Sequence, residues 1–285
     1  MSTLKIAIQK NGRLSEKSLE LLKNCGIKVP NGGRILKATA SNFPIEVLFL
    51  RDDDIPQYVE QGIADVGILG QNEVWEKAKD VVEVRTLGFA ACRLSLAIPR
   101  EQKYTGINYF EGKRIATSYP NILSRFFAAQ KINVIIEEIG GSVEIAPGIG
   151  LSDGIMDIVS TGSTLLMNGL TEVETVAKSE AVLIANRNLS SAKSEILEQL
   201  LFRNDAVLQA RENKYILLNA PNDRLDTITE ILPGMKSPTV LPLAKEGWSS
   251  LHSVIQEDDF WNIIGRLKNA GAEGILVVPI EKMIL

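Results

Sequence analysis

Short apolar runs alternate with amphipathic helical stretches along most of this chain, and that alternation restricts its fold more than any other feature. Lys5–Gln9 (KIAIQ) reads as a strand, followed by a Gly turn and a helix from about Ser15, its N-cap, to Cys25. Ile45–Leu50 is a second apolar strand. Asp52–Asp54 then supply acidic N-cap and first-turn residues for a helix through Tyr58 to Gln61, with Pro56 tolerated in that first turn. Ala64–Leu69 is a further strand, closed by Gly70. Strand and helix in alternation predict an α/β layered domain on a largely parallel sheet.

A second set of the same units starts near Arg93. Arg114–Ser118 reads as a strand, Asn121–Gln130 as a helix and Val134–Glu138 as a strand; Gly150–Met156 reads as a short helix leading into the strand Asp157–Val159. GIADVGILG (Gly62–Gly70) and GIMDIVSTG (Gly154–Gly162) echo each other, through an old duplication or by coincidence. Two α/β lobes then face one cleft lined by strand C-termini, where open parallel sheets bind ligands. Strand Ala181–Asn186 and a long helix from Ser190 to about Arg211 return the chain to the first lobe. The expected division is lobe I at 1–90 and 181–212, lobe II at 91–180, and a terminal module at 213–285. In that module strands Tyr215–Asn219, Thr239–Leu243, Ser249–Val254 and Gly274–Pro279 alternate with helices Asp223–Leu232 and Asp258–Ala270 as βαββαβ, a ferredoxin-like pattern.

Composition narrows the function. With 285 residues, 45% apolar and 23% charged, the chain has room for two or three packed domains. A net charge of −4 with interspersed signs argues against a nucleic-acid surface. The N-terminus lacks a secretory pattern and no apolar run is long enough to span a bilayer, so a cytoplasmic address with no membrane partner is expected. Cys25 and Cys92, the only cysteines, are expected to stay reduced there, and the single histidine, His252, lies far in sequence from the cleft segments. P-loop, Rossmann and HExxH signatures are absent.

The chemistry-bearing residues lie at strand ends. Asp157-Ile-Val runs into Ser160-Thr161-Gly162-Ser163-Thr164 before an apolar helical pattern. Small residues let backbone N–H groups close on an anion, hydroxyls add donors, and a helix dipole points the same way; an acidic residue just before suits ribose hydroxyls. An ordinary Ser/Thr/Gly turn fits the same letters. Lys10 and Arg13 bracket Gly12 at one strand end and Arg51 follows another: three cations for a polyphosphate, or solvated side chains on surface turns. Tyr119, in RIATSYP, either stacks a base or packs.

Together these segments resemble the ATP phosphoribosyltransferase family. The match runs through Glu144, Gly150, Asp153 and Asp157-Ile-Val-Ser-Thr-Gly-Ser-Thr-Leu, with QKNGRL, RDDDIPQYV, ADVGILG, CRLSLAIP and RIATSYP in the family's order. LPGMKSPT near Gly234 and GILVVPIEKM near the C-terminus resemble the regulatory domain of the long form. The resemblance implies a two-lobed fold like periplasmic binding proteins and transfer of phosphoribosyl from phosphoribosyl pyrophosphate to N1 of ATP, opening histidine biosynthesis. It further implies Mg2+ dependence, feedback inhibition by histidine, and a homo-oligomer exchanging between dimer and hexamer. It maps phosphoribosyl pyrophosphate onto Asp157, Ser160, Thr161, Gly162, Ser163 and Thr164, the nucleotide onto Lys10, Arg13, Arg51 and Tyr119, and catalysis onto Asp157, Arg13 and Arg51. Asn219, Thr239 and Gly274 fall near the histidine site; no protein ligand of the metal is assigned. Two other readings compete: a two-lobed solute-binding protein, which the terminal module does not suit, and prephenate dehydratase, which leaves DIVSTGST unexplained.

Overall fold

The computed structural model describes residues 2–30, 35–232 and 234–285, so Pro233 of the LPGMKSPT segment lies outside the described residues. The chain divides into two compact units, Met1–Lys23 with Ile27–Ile196, and Asn24–Gly26 with Leu197–Leu285. The first unit opens with β1 (Leu4–Gln9), α1 (Arg13–Asn24), β2 (Lys37–Thr39), β3 (Ile45–Leu50), α2 (Ile55–Glu60), β4 (Val66–Gly70), α3 (Gln71–Lys77) and β5 (Val81–Thr86). There follow β6 (Cys92–Pro99), β7 (Arg114–Thr117), α4 (Pro120–Gln130), β8 (Ile135–Glu138), β9 (Gly154–Val159), α5 (Ser163–Met167), β10 (Leu170–Ser179) and β11 (Ala181–Asn186). Helix α6 (Ser191–Glu212) leads into β12 (Asn213–Pro221), α7 (Leu225–Ile231), β13 (Thr239–Pro242), β14 (Trp248–Gln256), α8 (Glu257–Asn269) and β15 (Glu273–Pro279).

The first unit holds two sheets, ordered β2-β3-β1-β4-β11-β5 and β10-β6-β9-β7-β8. Each has a parallel trio, β3-β1-β4 and β8-β7-β9, whose middle strand carries an apolar, fully buried core such as Ile6–Ile8. The sheets are mixed and not largely parallel. Strands β5, β6, β10 and β11 run antiparallel to their neighbours, because the chain passes between the lobes twice and both passes end in strands that run back along a sheet. The ten-residue β10 (LTEVETVAKS) interleaves polar residues with its few apolar ones and is mostly half-buried, so it does not read as an apolar run.

Two local expectations are corrected. Helix α1 starts at Arg13, and Ser15 is buried inside its first turn and is not the N-cap; Gly12, at φ +91, lets the chain turn two residues earlier. Gly150–Met156 is no helix. Glycines at 148, 150 and 154 weaken helical propensity there, and Asp153 is tied to β7: its N–H donates to the Arg114 carbonyl at 2.8 Å while its carboxylate accepts the Arg114 N–H at 2.8 Å. Asp65 does the same in the first lobe, donating to the Lys5 carbonyl at 2.9 Å and accepting the Lys5 N–H at 2.8 Å, with Lys193 Nζ 2.7 Å from its other oxygen. The halves therefore do repeat structurally, but Asp65 corresponds to Asp153, four residues before the Asp157 that the sequence echo aligns with it.

In the second unit the sheet order β13-β14-β12-β15 is antiparallel throughout, the ferredoxin-like arrangement. Ile216, Leu218, Ala220 and Leu251 turn to the side of Ile228 and Leu267 on α7 and α8 and form one core. Cross-strand partners share a face, so Tyr215, Leu217, Asn219, His252 and Leu276 lie together on the opposite one.

Candidate active site

The C-terminal ends of the parallel strands carry the turns singled out above. β1 and β3 are neighbours with Gln9 opposite Leu50, so Lys10 and Arg51 emerge side by side; the Lys10 N–H donates to the Leu50 carbonyl at 2.7 Å. Both side chains are exposed, and Arg51 Nε lies 3.2 Å from the Asp53 carboxylate. In the other lobe β9 delivers Ser160–Thr164. Gly162 has φ +82, a left-handed conformation that a side chain resists, and it caps α5. That helix is a single turn of five residues, so the anion-binding capacity rests on loop N–H groups and hydroxyls more than on a macrodipole. Thr161 Oγ1 and Ser163 Oγ are 3.0 Å apart.

Arg13, Glu144 and the run Asp157–Leu165 line one cavity of about 300 Å3. A cation from the start of α1 in the first lobe therefore faces the small-residue loop of the second. Arg51, Lys10 and Tyr119 are not among its lining residues. Asp157, half-buried, accepts the Ile158 N–H at 2.7 Å. Burial pushes its carboxyl up to about 6, the Ile158 N–H opposes the shift and the Glu144 carboxylate adds to it.

Tyr119 is 8% exposed and packs in the core of the second lobe, so its ring faces are not open for stacking a base. Sequence reading passed over several residues that support these turns. Arg93 donates to the Ser160 carbonyl at 3.2 Å and is held by two 2.5 Å bonds to Glu172, which also accepts from Ser95. Glu76, on α3 of the first lobe, accepts the N–H groups of Asn121 and Ile122 at 2.9 Å each, capping α4 of the second. In the sequence each is one more charged letter; its significance is a long-range partner.

The family model described as ATP phosphoribosyltransferase matches residues 51–205, and a second, described as the HisG C-terminal domain, matches residues 210–282. The chain belongs to the ATP phosphoribosyltransferase family. The second match makes it the long form, and it is a pentosyltransferase of histidine biosynthesis. Relatives named ATP phosphoribosyltransferase include one from Azobacteroides pseudotrichonymphae, 60% identical over 282 residues, 99% of this chain and all of that one. One from Cytophaga hutchinsonii is 58% identical over 285 residues, with both chains fully covered. Among solved structures, a Thermotoga maritima chain from an "ATP phosphoribosyl transferase (HisG:HisZ) complex" has a TM-score of 0.64 and 30% identity, covering 73% of this chain and 99% of its own. The substrate-binding protein of an amino-acid ABC transporter shares the fold alone, with a TM-score of 0.50 and 12% identity over 74% of this chain and 95% of its own. The fold is thus two-lobed and like periplasmic binding proteins, followed by the C-terminal module.

Asn219, Thr239 and Gly274, which the resemblance maps near a histidine site, lie in that module. Gly274, at φ +58, comes so close to Asn219 that a Cβ there would lie 3.2 Å from Asn219 Nδ2. Thr239 pairs with His252 on the far edge of the same sheet. His252 is held on both ring nitrogens, by Tyr215 Oη at 2.8 Å from Nδ1 and Ser250 Oγ at 3.1 Å from Nε2.

Proposed function

We propose that Ser160, Thr161, Gly162, Ser163 and Thr164 bind phosphoribosyl pyrophosphate, with Asp157 accepting from its ribose hydroxyls and Arg13 holding phosphate oxygens from the opposite lobe. The observation that carries this reading is the single cavity shared by Arg13 and Asp157–Leu165. Lys10 and Arg51 complete a cationic rim for the nucleotide, and Tyr119 contributes from the core by fixing the turn it sits in. Adenine N1 is unprotonated at neutral pH, so its attack on the ribose carbon needs no general base. Positioning the reactants and stabilising charge as pyrophosphate departs are what the residues supply. Among the described residues no group of three or more His, Cys, Asp or Glu is placed to hold a metal ion. Mg2+ enters with the polyphosphates, as is usual where one or two carboxylates and substrate phosphates share it.

Histidine acts as the feedback inhibitor at the open face of the C-terminal sheet, near Asn219, Thr239 and Gly274, and the protein works in the cytoplasm as a homo-oligomer, dimer or hexamer. Leu276 and Val278, exposed on that face, suit a subunit contact; among the described residues no helix is long and apolar enough to cross a membrane. The test is to mix protein, ATP, phosphoribosyl pyrophosphate and Mg2+, and follow the phosphoribosylated nucleotide and pyrophosphate. Product that forms without divalent cation, or ADP as the main product, would overturn this assignment.

A further inference from the structure

Where α3 of the first lobe meets the β7–α4 turn and β10 of the second, Asn72, Glu73, Tyr119 and Ser179 are buried together. Asn72 is the hub. Its side-chain N–H groups lie 3.3 Å from Tyr119 Oη and 3.3 Å from Glu73 Oε1, its oxygen accepts from Ser179 Oγ at 2.9 Å, and its backbone N–H donates to the same hydroxyl at 3.0 Å. Gly70 leaves the room this needs, since a Cβ there would lie 2.4 Å from Asn72 Oδ1. Glu73 has the poorest partners of the group: one long bond from Asn72 and the Tyr119 hydroxyl within hydrogen-bonding range. A buried carboxylate needs more donors than that, whereas a neutral acid is at ease with them.

The charged and titratable groups acting on Glu73 come from each side. Asp52 and Asp53 on the turn before α2 oppose its ionisation, and Lys77 on α3 and Tyr119 favour it. Glu76, one turn along α3, is engaged with α4, and Asp157 acts on Tyr119. We propose that Glu73 is a positioning residue that packs into the lobe–lobe seam as a neutral acid, so that losing its proton, which leaves a buried charge short of donors and facing Asp52, draws water in, loosens the seam and weakens phosphoribosyl pyrophosphate binding. Arg13 and the Asp157–Leu165 loop belong to different lobes, and the spacing across their cavity depends on this seam. Burial first and Asp52 second hold the Glu73 carboxyl up at about 7, so both forms are populated near neutrality.

The inference rests on phosphoribosyl pyrophosphate being a substrate, and its test separates the two. KM and kcat are measured across the neutral and alkaline range for the wild type, Glu73→Gln and Tyr119→Phe. The wild-type KM for phosphoribosyl pyrophosphate should rise severalfold above about pH 7, with kcat changing less, and Glu73→Gln should abolish that rise. Tyr119→Phe removes a donor to the charged form and should move the midpoint to higher pH, whatever its absolute rate. Coincident wild-type and Glu73→Gln profiles overturn the proposal while leaving the activity standing; if Glu73→Gln does not fold, an unmoved Tyr119→Phe midpoint overturns it. Absence of turnover would instead count against the activity, and thermal melting then decides: Glu73→Gln should gain stability over wild type on the alkaline side of neutrality and not on the acid side, and equal gains overturn the proposal.

Discussion

Replacing Glu76 by Gln probes the joint between the lobes. Helix α4 has no side-chain cap of its own at Tyr119. Its first-turn N–H groups, from Asn121 and Ile122, are satisfied across the lobe boundary by the two oxygens of a carboxylate that is 4% exposed. Bonds of this kind to a charged acceptor contribute about 1.5–3 kcal/mol each, and a negative charge at a helix N-terminus adds roughly 0.3–1 kcal/mol. Glutamine keeps one acceptor, turns an NH2 group toward the other N–H and removes the charge, so a loss of about 2–4 kcal/mol is expected. For a unit of this size that lowers the melting temperature by roughly 4–16 °C, read by calorimetry, with Lys77→Gln on the exposed side of α3 as the control. kcat/KM should fall as well, because the Tyr119–Pro120 turn starts the helix that Glu76 holds. A Glu76→Gln melt that matches the Lys77→Gln control, with unchanged kcat/KM, would refute this account of the joint.

Gly162→Val should weaken phosphoribosyl pyrophosphate binding through backbone strain, about 1–3 kcal/mol at φ +82; Gly162→Asn, which tolerates that region, should lose less, and equal calorimetric affinities for the two would contradict the strain argument. In the proposed ribose contact Asp157 accepts more strongly when ionised, so the wild-type KM should rise as pH falls through about 6, and Asp157→Asn should bind more weakly without that dependence. Its folded value lies above the unfolded 3.8, so its contribution to stability is complete below that and lost as pH rises through about 6. Asp157→Asn should therefore gain at most about 3 kcal/mol over wild type in denaturant melts at alkaline pH and little at acid pH. Asn219→Ala should raise the histidine concentration for half-inhibition severalfold; an unchanged inhibition curve would move the histidine site elsewhere.

Much of this was legible in the sequence for local reasons. Central strands such as Ile6–Ile8 are continuous apolar runs, and the Ser160–Thr164 turn announces itself by composition. The terminal βαββαβ order follows from alternation alone. What escaped depends on partners far along the chain. Glu73 and Glu76 are separated by fewer than four residues, yet one faces Tyr119 and the other caps α4, and neither partner can be read from α3 itself. Tyr119 left stacking and packing both open, because an aromatic beside a polar turn is ambiguous until its burial is known. The antiparallel β10 does not read as a strand because polar residues break up its few apolar ones, and the sequence echo pairs Asp65 with Asp157 because two similar strings share a Gly-Asp spacing whose aspartates do different work.

The paired carboxylate pins at Asp65 and Asp153 reach further than strand register. Aligned on them, Asn72, at the start of α3, is the counterpart of Ser160, where the turn after β9 begins. One scaffold position thus serves two trades: in the second lobe it opens the small-residue turn proposed to hold the ligand, and in the first it grips the sister lobe through Asn72. Relatives that shift substrate preference should vary at the Ser160 turn and keep Asn72, while those that shift how firmly the halves clasp should do the reverse. The two properties can then drift separately under selection, although both occupy the same position of the repeated scaffold.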